Sequence, residues 1–384
     1  MDFEFSEEQT MIRTMVRDFA EKEIVPVARD NNRYERFPAD LVKKLGEMGF
    51  LGLNLPSEYG GGGSDYMSYC IMLEELAQAD VGMAVTASVH ISLCEKTILQ
   101  WGTEAQKQKY LPRLIRGEIL GCLATTEPNV GSDVSSIETS AVLQGDEWVL
   151  NGNKMWISNG GVAGIAIIIA QTDKSKGGKG LTAFIVERDT PGFSTEDIHN
   201  KLGIRSSNTA ELIMEDCHLP QENVLGPVGK GMSVALSSFD SARLGVAARS
   251  IGVAQACIDA SVSYVQTRKQ FGKEIGSFQL IQEMLADMTV ETEAARLLVY
   301  RAACLKDKGN PATIETSMAK YYSSEIALKA ANNAIQIHGS YGYSDEFPVE
   351  RYFRDVRVSS ILEGTSQMHK LIIGRAKIGL SAFV

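Results

Sequence analysis

Apolar positions recur at helical spacing at both ends of the chain and at strand spacing between them. Ser6-Glu7-Glu8-Gln9 has the form of a capping box, with Ile12, Met15, Val16 and Phe19 following on one face. Pro38 opens a second helix with Leu41, Leu45 and Met48 on its inner side, and the glycines at 60–63 predict a flexible turn. Met67 to Ala79, Val81 to Gln100 and Lys107 to Arg116 predict three more helices. Near Gly121 the period changes. Glu147 to Leu150, Asn151-Gly152 and Asn153 to Ile157 predict a β-hairpin, because Asn-Gly accepts the positive φ of a type I′ turn. Ile165 to Ala170, Leu181 to Val186 and Leu212-Ile213-Met214 predict further strands, and Asp173 to Gly180 a Lys/Gly-rich surface loop. After Gly231 long helices return. Phe278, Ile281, Leu285 and Met288 mark one stripe; Ile314, Met318, Tyr321 and Leu328 mark another, with Gly309-Asn310-Pro311 as the turn between them. The class is α+β: helical over 1–120, β over 121–228, and a helical bundle over 229–384.

The 384 residues suffice for a large core. A net charge of −10 argues against a nucleic-acid partner, which needs clustered Lys and Arg. The six cysteines show neither a C-x-x-C pair nor metal-ligand spacing, so buried free thiols and no metal site are expected. The longest apolar run, Ile165 to Ala170, falls far below the roughly 18 residues of a membrane span. The acidic start, Met1 to Glu8, is neither a secretory signal nor an Arg-rich transit peptide, which predicts a cytoplasmic location. Neither a Rossmann nor a Walker glycine fingerprint occurs.

One stretch suits a working base. In Val358 to Gln367, Glu363 precedes Gly364-Thr365-Ser366, and Met368, Leu371, Ile372 and Arg375 follow at helical spacing. Glu363 therefore lies on a loop facing a helix N-terminus, Gly364 permits close approach of a substrate, and Thr365 or Ser366 can cap the helix. On these residues alone an ordinary acidic helix entry accounts for it.

Read as a whole, the chain resembles the acyl-CoA dehydrogenase family from Phe3 to about Gly379. The resemblance is carried in order by Leu55-Pro56-Ser57-Glu58-Tyr59-Gly60-Gly61, Thr126-Glu127-Pro128, Lys154 to Gly160, Arg268 to Gly272, Gln336-Ile337-His338-Gly339 and Ile361 to Lys370. It implies an N-terminal helical domain, a central β-barrel and a C-terminal four-helix bundle, with FAD held between barrel and bundle. The implied reaction oxidises an acyl-CoA to the 2,3-enoyl-CoA, Glu363 taking the Cα proton and flavin N5 the Cβ hydride. Burial of the carboxylate should raise its pKa toward that of a useful base. Some relatives keep the base on the helix through position 242; Ala242 stands there here, which leaves the role to Glu363.

Thr126, Ser132, Trp156 and Ser158 match positions at the isoalloxazine and flavin phosphates, where Ser158 stands for a usual Thr and supplies the same hydroxyl. Arg268, Phe271, Gln279, Gln336 and Gly339 match positions that reach the ADP half from a neighbouring subunit, which implies a homotetramer built as a dimer of dimers. Thr365 and Gln367 complete the cofactor set; Ser132, Asp240, Arg243 and Gly364 match substrate positions. Helix 81–100, with Ser88, His90 and Ser92, would line the chain end of the pocket. Asn129-Val130 replaces a usual Gly-Ala in a loop expected to survive because Asn tolerates turn conformations, and His338 replaces a usual Leu as packing. Lys201 to Ala210 resembles short-chain, butyryl-type members, whereas Leu362 resembles branched-chain ones. Cyclic, dicarboxylic or aromatic-pathway thioesters remain alternatives, as does an oxidase on the same fold. The implied electron acceptor is an electron-transfer flavoprotein.

Overall fold

The computed structural model describes residues 4–382. The resemblance at Phe3 and the reading of Met1 to Phe3 as no leader lie outside them. The first part is helical: α1 (Glu7–Phe19), α2 (Val25–Arg33), α3 (Ala39–Glu47), α4 (Tyr66–Ala79), α5 (Val81–Val89), α6 (Lys96–Trp101) and α7 (Glu104–Ile115). Next come β1 (Leu120–Ala124), β2 (Ser140–Gln144), β3 (Glu147–Ser158), β4 (Ala163–Gln171), β5 (Leu181–Glu187), β6 (Phe193–Asp197), β7 (Thr209–Pro220) and β8 (Val224–Leu225). The last part holds α8 (Gly231–Thr267), the short strands β9 (Lys269–Gln270) and β10 (Lys273–Glu274), α9 (Gln279–Asp307), α10 (Thr313–His338), α11 (Val349–Val356) and α12 (Ser366–Ile378).

Local chemistry starts α1 as the sequence predicts: Gln9 N–H donates to Ser6 Oγ at 3.1 Å, and Ser6 N–H donates back to Gln9 Oε1 at 3.0 Å. Ile12, Val16 and Phe19 are buried, but Met15 and Met48 turn partly to solvent. The glycines at 60–63 are not a loose turn. Gly62 N–H donates to Gly52 and Gly63 N–H to Leu55, and a Cβ at Gly61 would meet the Leu55 carbonyl oxygen at 2.3 Å. Helix α5 passes through a π-helical turn, His90–Glu95, into α6.

Helix α4 is buried nearly all round and forms a central post. Its two buried carboxylates are paired. Glu75 accepts from Arg13 and Arg17, each at 2.8 Å, and Glu74 from Arg296 at 3.0 Å and Tyr300 at 2.9 Å, which ties the post to α1 and α9. Against α4 runs α8, 37 residues long and so about 55 Å at the helical rise, with every residue from Ser241 to Ala254 buried. It packs on α9 and α10 as well, and α10 also carries α11 and α12. On α10 the buried side is made of small residues such as Ala319, Ala327, Ala331 and Ala334, whereas the expected stripe of Ile314, Met318, Tyr321 and Leu328 is only half-buried.

The Asn151-Gly152 hairpin is not formed. Strand β3 runs straight through it, pairing with β2 on one side and β7 on the other, and the register shifts between Leu150 and Gly152. Asn151 spends its amide on Asp216, donating to Oδ1 at 3.1 Å and accepting from the Asp216 N–H at 2.9 Å. Gly152 is required because a Cβ there would sit 2.8 Å from Thr139 Cα. Asn-Gly thus marks a bulge, and the true β2–β3 turn lies at Gly145-Asp146. The ladder order is β6-β7-β3-β2-β4-β5-β8 with β1 beside β4. Among the described residues no ladder joins β6 to β8, so the sheet is open where a barrel was expected. Five of the six cysteines are buried free thiols; Cys304 is exposed.

Candidate active site

Helix α12 is capped by Thr365, whose Oγ1 accepts from Met368 N–H at 3.3 Å, so Glu363 and Gly364 form the last two residues of the entering loop. Both have positive φ, 54° at Glu363 and 93° at Gly364. A glutamate held in the left-handed region costs on the order of 1–3 kcal/mol and points to a functional constraint. Lys320 on α10 holds the loop in place by donating from its buried Nζ to the Gly364 carbonyl at 2.6 Å. His369, one turn into α12, packs beneath: its Nε2 lies 3.2 Å from where a Cβ on Gly364 would be.

The Glu363 side chain is half-buried, and among the described residues its carboxylate makes no hydrogen bond or ion pair. Desolvation raises its pKa above the ordinary 4.5, opposed by the charges of Arg249, Lys320 and Arg243. The neighbours respond in kind. Desolvation, with the two arginines, brings Lys320 down to about 7 against the pull of Glu363. Desolvation first, then Lys320 and Arg243, push His369 down to about 3, so it is neutral. The backbone of Glu363 and Gly364 opposes that shift. Nor does the Glu363 backbone N–H donate to any described residue, which leaves it available beside the carboxylate. Ala242 is buried and carries no competing acid.

The sheet presents a second surface. Glu127 of the Thr126-Glu127-Pro128 motif and Lys154 of the Lys154-Met155-Trp156 motif form a buried salt bridge of 2.7 Å, and Met155 N–H donates to the Thr126 carbonyl at 2.9 Å. Glu127 also accepts from the backbone N–H of Glu138 and Thr139. The two motifs are therefore one frame. It holds Trp156 at φ 64° with the indole 60% exposed, at a register shift of β3. Thr126 and Ser158 are half-buried beside it, and Ser132 is exposed. An exposed indole held in a strained conformation, with hydroxyls around it, fits a planar aromatic ligand such as an isoalloxazine.

The positions expected at the ADP half, Phe271, Gln279, Gln336 and Gly339, all lie at the surface, with Arg268 half-buried. Phe271, at the tip of the β9–β10 turn, is 92% exposed at φ 51°. Arg268 lies over the Tyr341 ring at 5.5 Å and lines a surface cleft with it. Gln367 is exposed. On α8, Arg243 donates to Asp240 at 2.7 Å, and Asp240 in turn accepts from Thr313 at 2.8 Å. Of the expected pocket-end residues, Ser88 contacts the Tyr69 hydroxyl at 3.3 Å and Ser92 donates to the Ser88 carbonyl. His90 does not join them. Its Nδ1 accepts from Gly121 N–H, which leaves Nε2–H for the Leu114 carbonyl, both at 3.1 Å. His338 packs as expected, stacked on Tyr264 at 4.2 Å.

Sequence reading missed Arg249, Lys320, His369 and the Glu127–Lys154 pair. For Arg249 a signal existed: between Arg243 and Asp259 it is the lone charged residue in a run of small and apolar ones.

Models of the acyl-CoA dehydrogenase N-terminal, middle and C-terminal domains match residues 6–118, 122–217 and 229–378 respectively. The chain belongs to the acyl-CoA dehydrogenase family and is an oxidoreductase of that class. Within it, the chain is similar to the short-chain specific acyl-CoA dehydrogenase of Clostridium acetobutylicum, 45% identical over 97% of this chain and 98% of the relative. Among solved structures it is similar to butyryl-CoA dehydrogenase from Megasphaera elsdenii, with TM-score 0.97 and 42% identity over 98% of this chain and all of the other. A chain solved in work on the electron transferring flavoprotein of Acidaminococcus fermentans also has TM-score 0.97, at 44% identity over the same shares. Among the described residues no helix is long and apolar enough to cross a membrane, and no group of three or more His, Cys, Asp or Glu could hold a metal.

Proposed function

We propose that the protein is an FAD-dependent dehydrogenase of short or branched acyl-CoA, with Glu363 as the base. The observation that carries the reading is the free, desolvated Glu363 carboxylate beside its own undonated N–H. Thr126, Ser132, Trp156 and Ser158 would hold the flavin ring and phosphates of one subunit; Arg268, Phe271, Gln279, Gln336 and Gly339 would reach the ADP half of a neighbour's, with Thr365 and Gln367 beside it. Bound FAD supplies the acceptor for a hydride. Glu363 takes the Cα proton, and its N–H donates to the thioester oxygen as negative charge develops there. Raised above 4.5, the carboxyl is a stronger base than an exposed glutamate, while the charges of Arg249, Lys320 and Arg243 oppose that rise. Ser132, Asp240, Arg243 and Gly364 would position the thioester and its CoA arm. The strained loop is rigid because Lys320 and the Thr365 cap fix it on both sides.

A homotetramer in the cytoplasm, handing electrons to an electron-transfer flavoprotein, completes the reading. Phe271 at 92% exposure supports an intersubunit role, as do Leu280 at 70% and Val290 at 68% on α9. The test is direct. The purified protein is expected to be a yellow tetramer with stoichiometric FAD, and butyryl- or isobutyryl-CoA should bleach it anaerobically faster than palmitoyl-CoA. A colourless protein that takes up no FAD, an active monomer, or a preference for palmitoyl-CoA would each overturn the corresponding part.

A further inference from the structure

Arg249 is 2% exposed, and among the described residues its buried Nε and Nη2 have no hydrogen-bond partner. Its charge acts on two groups, Glu363 and Tyr69, without an ion pair to either. Desolvation lowers its pKa only to about 10, so the guanidinium is charged at neutral pH. One turn earlier on α8 is Gly245, where a Cβ would sit 2.4 Å from Ser88 Oγ and 2.6 Å from Tyr69 Oη. The glycine on that side of α8 thus leaves room for a pair of hydroxyls, themselves 3.3 Å apart, of which that of Tyr69 lies within reach of the Arg249 charge. A purely hydrocarbon tail has no use for this. A buried cation without acceptors is costly and invites an anion that arrives with a ligand.

We propose that Arg249, with Tyr69 and Ser88, is the receptor for a carboxylate at the far end of a short acyl chain, so that the preferred substrate is a dicarboxylyl-CoA. The proposal rests on the acyl-CoA reading and narrows it. Glu363 would work at the thioester end, while Arg249 meets the distal carboxylate with the parallel N–H pair that guanidinium offers. The negative tail would also offset Arg249, which otherwise lowers the basicity of Glu363.

The test uses FAD-loaded enzyme and two probes of matched shape, glutaryl-CoA and the neutral 5-methylhexanoyl-CoA. Equilibrium dissociation constants and anaerobic bleaching rates are measured for each. Wild type is expected to prefer glutaryl-CoA, and Arg249→Gln should reduce the ratio of the two by about 10²-fold, since a buried donor built for an acceptor discriminates strongly. Arg249→Lys, which keeps the charge, should retain part of the preference. If wild type takes 5-methylhexanoyl- or butyryl-CoA as well as glutaryl-CoA, the inference falls while the dehydrogenase reading stands. Equal losses for both probes in Arg249→Gln would make Arg249 a counter-ion of Glu363 only. A shifted flavin spectrum in ligand-free Arg249→Gln would assign the guanidinium to the flavin. Either result overturns the proposal, and bleaching by none of these thioesters would overturn the parent reading instead.

Discussion

Replacing Glu363 by Gln is expected to leave a folded, FAD-binding protein whose flavin acyl-CoA no longer bleaches. Gln is nearly isosteric, and the backbone N–H at 363 is retained, so the thioester should still bind. What is lost is the proton acceptor. Removal of a general base typically costs about 10²–10⁴-fold; the loss here should reach or exceed the upper end, because hydride cannot leave Cβ unless the Cα proton also leaves. Ala242→Glu in the same background is the companion test. Position 242 is buried on α8, two helical turns before Arg249, whose charge acts on Glu363. A carboxylate there should restore part of the rate. Wild-type bleaching by Glu363→Gln alone would make Glu363 a structural acid.

The second large effect is expected at Lys154, far from the base. Its ammonium is fully buried; desolvation lowers its pKa to about 8, while Glu127 resists that shift, so the pair is ionised at neutral pH. Lys154→Met strands the Glu127 carboxylate in the interior. Breaking a buried pair from one side costs about 3–5 kcal/mol, and the lower end applies because Glu127 keeps two backbone donors. The frame that holds Trp156 should loosen with it. A thermal midpoint several degrees lower, together with faster loss of FAD on dilution, is the expected outcome. An unchanged midpoint with FAD retained would show that the pair does not support the flavin surface.

The elements legible in the sequence are those whose signal is local. The Ser6 box, the Gly309-Asn310-Pro311 turn and the Thr365 cap each act through neighbours three or four residues away, and each was readable. The loop position of Glu363 was legible through the helix that follows. Misreadings arose where tertiary contacts overrode a local preference. Asn151-Gly152 has hairpin chemistry, but Asp216 captures the asparagine and Thr139 crowds the glycine, so the strand continues. The glycine run at 60–63 looks flexible, but hydrogen bonds back to residues 52–55 fix it. Large apolar side chains on α10 were assigned to the core, yet close helix packing selected its alanines and serines instead. Lys320 could not be placed by inspection: it lies 44 residues before the Gly364 carbonyl it holds, and only the packing of α10 on α12 brings them together.

The pH profile of anaerobic flavin bleaching by butyryl-CoA tests the central claim most directly. The folded pKa of Glu363 is raised above 4.5 by desolvation, net of Arg249, Lys320 and Arg243, while neutral His369 adds no charge. Below that pKa the carboxyl carries a proton and cannot accept another, so the bleaching rate should rise with pH through an inflection above 4.5. The same inflection should be absent from the residual rate of Glu363→Gln. A wild-type rate that is flat with pH, or that rises as the pH falls, would contradict Glu363 as the group that takes the proton.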